Sequence, residues 1–126
     1  MGCNLTKSVV IIEDEPYIVE ALSFLLEREG LTVSSYSDGA GSVDFIANHS
    51  PDLVILDIML PNVSGMQILE EIRRSQKLSE LPVLMLTAKG QKKDQLAAED
   101  AGVSLFMTKP FANDELVANV WELLKR

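Results

Sequence analysis

The chain has 126 residues, of which 47% are hydrophobic and 24% are charged, and its formal net charge is −8 at pH 7. This size and composition are typical of one globular domain, expected over residues 1–126, and leave no room for a second. The acidic balance and the lack of a basic stripe argue against direct nucleic-acid binding. No apolar run approaches the roughly 20 residues that cross a bilayer, so no membrane segment is expected.

The N-terminus is expected to be a short flexible leader of about seven residues. The chain has one cysteine, Cys3, which cannot form an internal disulfide, and no signal peptide is expected because the first residues lack the charged-then-apolar pattern of one. Both features are compatible with a reducing, cytoplasmic location. Gly2 and Cys3 match a pattern for myristoylation and palmitoylation, but such a short match arises easily by chance, and a polar leader is the preferred interpretation.

Strands and helices alternate along the first half of the chain. The β-branched run Val9–Ile12 predicts a buried strand, and the acids before Pro16 indicate the start of a helix. Apolar residues at helical spacing continue to Gly30, which can end that helix in the left-handed conformation. Residues 31–36 predict a second strand, and a weaker helical pattern surrounds Ile46.

The second half continues the alternation, starting from the stretch Leu53–Asp57. It has the apolar pattern of a strand buried on both faces, but it ends on an aspartate. The later predicted elements are, in order, a helix bearing Met66, Leu69 and Ile72, a strand over 83–86, a helix over Gln91–Ala101, a strand over 104–107, and a last helix with a capped start at Asn113, Asp114 and Glu115.

Five strands alternating with five helices predict an α/β fold with a parallel sheet covered by helices on both faces. The expected arrangement is flavodoxin-like and doubly wound, (βα)5, with strand order 2-1-3-4-5. In such a sheet a crevice opens at the carboxyl ends of the first and third strands. Glu13 and Asp14 follow the first strand and Asp57 ends the third, so the three acids should meet in that crevice.

Three converging carboxylates repel each other, so a positive group must complete the site. A hard cation such as Mg²⁺ suits oxygen ligands and leaves room for a phosphate oxygen. Lys109, after the fifth strand, offers an ammonium, and Thr87, at the end of the fourth, adds a hydroxyl. Carboxylate, cation, lysine and hydroxyl together indicate a site that accepts and holds a phosphoryl group.

These segments resemble the CheY-like receiver domain of response regulators in two-component signalling. The resemblance is carried, in order along the whole chain, by Glu13-Asp14, Asp57 followed by Met-Leu-Pro, Gly65, Thr87-Ala88 and Lys109-Pro110-Phe111. It implies that Asp57 is a phosphoacceptor for the phosphohistidine of a histidine kinase. It also implies that Glu13, Asp14, Asp57 and the backbone carbonyl of Met59 hold Mg²⁺, with Mn²⁺ as a possible substitute.

The resemblance implies a switch as well. Lys109 would contact the phosphoryl oxygens, and the Lys109–Pro110 peptide would be cis. Thr87 would move towards the phosphoryl group and Phe106 would turn inward, changing the surface around the fourth helix, fifth strand and fifth helix. Such a protein is not an enzyme in the usual sense; it assists its own phosphorylation and dephosphorylation.

The expected partners are a sensor histidine kinase or phosphotransfer protein and an output partner, or an effector domain beyond Arg126. Two departures from the family pattern are visible. Glu13 stands where many relatives have aspartate. Phe106 stands where tyrosine or another aromatic is usual, so the outward hydroxyl that a tyrosine offers to a partner is absent. Residues 103–105 lack the acidic pair typical of relatives that dimerise through the fourth helix, fifth strand and last helix. A monomer or a weak phosphorylation-dependent dimer is therefore expected.

Three other functions fit parts of the pattern. A receiver fold can act as an interaction module without phosphorylation, although the complete set of acids, threonine and lysine argues against it. An aspartyl-phosphate phosphatase of the haloacid-dehalogenase type needs a second aspartate where Met59 stands. A flavodoxin-like electron carrier needs a phosphate-binding loop where Glu13 and Asp14 stand. His49 has no second candidate ligand nearby in sequence and is interpreted as an ordinary surface residue.

Overall fold

The computed structural model describes residues 7–88 and 92–125. The leader apart from Lys7, the lipidation pattern at Gly2 and Cys3, and Gln91 lie outside the described residues. Ten elements follow one another: β1 (Ser8–Ile12), α1 (Pro16–Arg28), β2 (Thr32–Tyr36), α2 (Ser42–His49), β3 (Leu53–Asp57), α3 (Gly65–Arg74), β4 (Val83–Thr87), α4 (Lys92–Asp100), β5 (Leu105–Thr108) and α5 (Asn113–Leu124).

The five strands form one parallel sheet in the order β2-β1-β3-β4-β5, which confirms the predicted flavodoxin-like fold. β3 is the central strand, and all five of its residues are buried. Its register places Leu56 beside Ile12 of β1 and Asp57 beside Leu86 of β4. The strand order therefore puts the end of β1 next to the end of β3, where the crevice was expected.

Successive residues of β3 point to opposite faces of the sheet and divide the core in two. Leu53 and Ile55 belong to the cluster that packs under α1 and α5, whereas Val54 and Leu56 belong to the cluster under α2, α3 and α4. Burying each such side chain stabilises the fold by about 1.5–3 kcal/mol. Helices on both faces explain why the strand is apolar at every position before Asp57 rather than alternating.

Some sequence predictions were wrong in detail. The last helix lacks the predicted side-chain cap: its N-cap is Ala112, which makes no side-chain capping hydrogen bond. Asn113 is already the first helical residue, one position too late to cap the free N–H groups. β5 begins at Leu105 and extends to Thr108 rather than running over 104–107. Within the described residues, no helix is long and apolar enough to cross a membrane.

Candidate functional site

The polar residues of the site lie at the carboxyl ends of the strands. Glu13 follows β1, Asp57 ends β3, Thr87 ends β4 and Lys109 follows β5. Glu13, Asp57 and Thr87 are 2%, 4% and 1% exposed, and they belong to the small set of buried polar side chains in the described part of the chain. Buried polar groups at one edge of a sheet whose other buried residues are apolar mark this edge as the candidate functional site.

Glu13, Asp14 and Asp57 form a three-carboxylate cluster. Each offers an oxygen, and the three oxygens all lie within 4.8 Å of one another. Asp14 is exposed, so the cluster opens to solvent on one side. An all-oxygen donor set with room for water on its open side fits a hard divalent cation such as Mg²⁺.

Lys109 reaches into the same cleft. Its Nζ lies 2.9 Å from Oε1 of Glu13 and 3.6 Å from Oδ2 of Asp57. A third carboxylate, that of Glu15, lies 3.2 Å from Nζ; the sequence patterns did not assign it to the site. The peptide bond between Lys109 and Pro110 is cis. The structure thus brings Lys109 together with the acids from β1 and β3.

The electrostatics of the site follow from burial. Desolvation raises the pKa of the Glu13 carboxyl to about 7, against the opposing hydrogen bonds from Lys109 and from the backbone N–H of Glu15. Burial pulls the pKa of Lys109 down, but its hydrogen bond to Glu13 and the charge of Asp57 outweigh that effect and leave it raised. Without a bound cation, the Glu13 carboxyl is therefore largely protonated below neutral pH. The Lys109 side chain stays charged as an ammonium.

The loop after Asp57 is held by close backbone contacts. Met59 N–H donates to Oδ1 of Asp57 at 3.3 Å, and Gly65 N–H donates to the carbonyl oxygen of Ile58 at 2.9 Å. A Cβ on Gly65 would overlap the carbonyl oxygen of Asp57, so only glycine fits at the start of α3. These contacts fix the path of the backbone that carries Met59 past the carboxylate cluster.

A second clamp joins this loop to the loop after β2. Asn62 adopts a left-handed conformation, with φ of 71°, and its Nδ2 donates to both carboxylate oxygens of Asp38, at 2.9 and 3.0 Å. Gly39 N–H donates to the carbonyl oxygen of Pro61 at 3.1 Å. The hydrogen bond from Asn62 lowers the pKa of Asp38, which keeps it ionised as an acceptor.

Thr87 and Phe106 lie on the β4–β5 side of the site. Thr87 is buried and comes directly after Leu86, the residue that pairs with Asp57. Phe106 pairs with Met85 in the middle of the strands, is half-buried, and packs against the α2, α3 and α4 cluster. Thr87 therefore shares the edge with Asp57, whereas Phe106 lies further back along the sheet.

His49 is the last residue of α2 and makes local contacts. Its Nδ1 lies 2.9 Å from the carbonyl oxygen of Phe45, and its ring stacks on the Phe45 ring with centroids 4.0 Å apart. These contacts cover the C-terminal end of α2, a structural role in keeping with the sequence interpretation.

A doubly wound parallel sheet with a carboxylate cluster and a lysine at its switch point defines a class of α/β proteins with an acidic cleft at the carboxyl ends of the strands. Residues 9–121 match the family model described as the response regulator receiver domain. The chain therefore belongs to the response regulator receiver domain family, and the resemblance seen in the sequence is confirmed.

Solved structures of similar shape agree. The chain is 30% identical to a protein from Chloroflexus aurantiacus J-10-fl described as a response regulator, with a TM-score of 0.92 and coverage of 97% of this chain and 100% of that one. It is 28% identical to the signal receiver domain of a signal transduction histidine kinase from Syntrophus aciditrophicus, with a TM-score of 0.88 and coverage of 95% and 91%.

A third similar structure is the receiver domain of the sensor histidine kinase PA1611 from Pseudomonas aeruginosa PAO1, with magnesium coordinated in its active site cleft. It is 24% identical, with a TM-score of 0.88 and coverage of 97% of this chain and 100% of that one. At this identity the likeness concerns the fold. Together, the family and the fold support a phosphoacceptor role in two-component signalling.

Proposed function

We propose that this protein is a phosphoacceptor switch in which Asp57 takes a phosphoryl group from the phosphohistidine of a sensor histidine kinase or phosphotransfer protein. The observation that carries the proposal is the position of the Asp57 carboxylate: it is buried, within 4.8 Å of two further acids, and 3.6 Å from the ammonium of Lys109. An anion kept in such a place needs cationic neighbours, and the same neighbours would stabilise added phosphoryl oxygens.

In the proposed transfer, a carboxylate oxygen of Asp57 attacks the phosphorus of the phosphohistidine. The new P–O bond forms as the P–N bond breaks, and the imidazole nitrogen keeps the electron pair and takes a proton from solvent. Lys109 donates hydrogen bonds to the phosphoryl oxygens, and the Thr87 hydroxyl supplies another donor. Both groups stand on strand ends, so they are positioned before the reaction begins.

Glu13, Asp14 and Asp57, with the backbone carbonyl of Met59, are the residues that would hold Mg²⁺, or Mn²⁺ in its place. The all-oxygen cluster supports this assignment, and the PA1611 receiver domain holds magnesium in its own active site cleft. A bound Mg²⁺ supplies positive charge against the negative charge of the phosphoryl group. Glu13 would have to ionise to act as a ligand; burial opposes this, but with a pKa of about 7 a fraction of Glu13 is already ionised at neutral pH.

The output is proposed to be a change in the surface formed by α4, β5 and α5, through Thr87 and Phe106. Of the residues of α4, only Ala98 is fully buried, so few apolar contacts resist movement of this helix. The partner is an output protein or an effector domain, and direct DNA binding by this acidic domain is not part of the proposal. The protein would work in the cytoplasm as a monomer or a weak phosphorylation-dependent dimer.

The test is phosphorylation by acetyl phosphate with Mg²⁺, followed by intact-mass spectrometry. The wild type should gain one phosphoryl group, and Asp57→Asn, which keeps the side-chain shape, should gain none while unfolding at a similar temperature. Omitting Mg²⁺ should sharply reduce the fraction of wild-type protein that gains a phosphoryl group. If the folded wild type gains no phosphoryl group under any of these conditions, the protein acts as a phosphorylation-independent interaction module instead.

A further inference from the structure

Glu15 forms an ion pair with the lysine of the proposed site. Nζ of Lys109 donates to Oε1 of Glu13 at 2.9 Å and to Oε1 of Glu15 at 3.2 Å. The distance from Nζ to Oδ2 of Asp57 is 3.6 Å, beyond hydrogen-bond range. The ammonium has three N–H donors, and in this arrangement its two hydrogen bonds go to the acids after β1 rather than to the phosphoacceptor.

The local geometry of Glu15 shows that its side chain is directed away from its own helix. Glu15 is the N-cap residue of α1, with extended backbone angles, yet it makes no side-chain capping hydrogen bond. At the matching position of α3, Ser64 accepts a hydrogen bond from Gln67 N–H in a complete capping box. A Ser, Asp or Asn would cap α1 better than glutamate. The longer side chain instead spans the gap to Lys109, 94 residues further along the chain.

Glu15 also stands apart from the acids that a cation would neutralise. The three-carboxylate cluster consists of Glu13, Asp14 and Asp57, whereas the Glu15 side chain is 60% exposed. A cation bound by the cluster would offset the negative charge of Glu13 and so weaken the ion pair between Glu13 and Lys109. Glu15, which lies outside the cluster, would continue to compete for the ammonium.

We propose that Glu15 is a positioning residue that restrains Lys109 in the unphosphorylated state, so that phosphoryl oxygens must displace its carboxylate to gain the ammonium. This inference rests on the proposed function of Asp57. Its consequence is that Glu15 weakens the hold of the site on a phosphoryl group and so favours the unphosphorylated state. Removing the charge of Glu15 strengthens phosphoryl binding, the opposite of what loss of a supporting contact would do.

The first test measures the affinity for beryllofluoride, a phosphoryl mimic, by 19F NMR in saturating Mg²⁺. Glu15→Gln should bind about two- to fivefold more tightly than wild type, the range expected for one exposed ion pair. The matched control is Glu20→Gln, which removes the same charge from an exposed position on the same helix and should bind as wild type does. In about 1 M salt the tighter binding of Glu15→Gln should vanish, because screening already weakens the ion pair between Glu15 and Lys109 in the wild type. An affinity of Glu15→Gln equal to or weaker than that of Glu20→Gln overturns the proposal.

A second test needs no phosphoryl mimic. The amine of Lys109 is labelled with an N-hydroxysuccinimide ester, and its extent of modification is compared by peptide mass spectrometry with that of exposed Lys125 in the same sample. Glu15→Gln should raise the Lys109-to-Lys125 ratio roughly twofold or more, because one of two restraining acceptors is lost. An unchanged ratio overturns the restraint. If wild type fails to bind beryllofluoride, the proposed function of Asp57 is wrong, and the labelling ratio still decides whether Glu15 restrains Lys109.

Discussion

The raised pKa of Glu13 predicts how the stability of the metal-free protein depends on pH. Burial raises this pKa from 4.5 to about 7, so the folded state binds the proton more tightly than the unfolded state. The resulting stabilisation is fully present below the unfolded pKa and is lost as the pH rises through the folded pKa. With these two values, Glu13 stabilises the fold by about 2–3 kcal/mol more at about pH 5 than at about pH 8.

The assay is urea unfolding in the presence of a chelator at several pH values across this window. Other carboxyl groups titrate too, so the informative quantity is the difference between wild type and Glu13→Gln, whose amide keeps the neutral shape at every pH. Relative to that variant, the wild type should lose about 2–3 kcal/mol of unfolding free energy from about pH 5 to about pH 8. A difference in unfolding free energy between the two proteins that does not change with pH would refute this prediction. So would a wild type that becomes more stable relative to Glu13→Gln as the pH rises.

Two further predictions concern local structure, one at Gly65 and one at the start of α1. Gly65→Ala should destabilise the protein by at least about 2 kcal/mol, because the added Cβ overlaps the carbonyl oxygen of Asp57. In the control Gly30→Ala the Cβ meets no atom within 4 Å, so the cost should be only about 1 kcal/mol, for its positive φ. Equal losses of unfolding free energy in the two variants, measured by chemical denaturation, would contradict the overlap at Gly65. Relative to Glu15→Ala, which loses the same ion pair with Lys109, Glu15→Ser should unfold at a temperature about 3–5 °C higher, because serine can cap the N-terminus of α1. Equal midpoints for the two variants in calorimetry would show that this cap does not form.

The main features of the fold could be predicted because they depend on short-range patterns. The run Leu53–Asp57 is apolar at every position but the last, and such a strand fits only the middle of a sheet covered on both faces. Once the strands are parallel, residues that end them share an edge. The meeting of Glu13, Asp57 and Lys109 at one edge therefore followed from the strand ends, although they lie far apart in sequence.

The features that the sequence did not reveal depend on distances between loops. In sequence, Glu15 is only an acid before a helix, a common and electrostatically favourable place. Its pairing with Lys109 becomes visible only when the first turn of α1 and the end of β5 are in place. The clamp between Asp38 and Asn62 is hidden in the same way, because it joins two loops 24 residues apart. The missing cap of α5 reflects a one-residue difference in where the helix starts.

The central claim is that Asp57 is the residue that accepts the phosphoryl group. The most direct measurement treats the protein with acetyl phosphate and Mg²⁺, reduces the acyl phosphate with borohydride, and maps the product by peptide mass spectrometry. Reduction converts a phosphorylated aspartate to homoserine, so the account predicts homoserine at position 57 and at none of the other acids of the cleft. Homoserine at position 14 with none at 57, or no homoserine in wild-type protein, would contradict it.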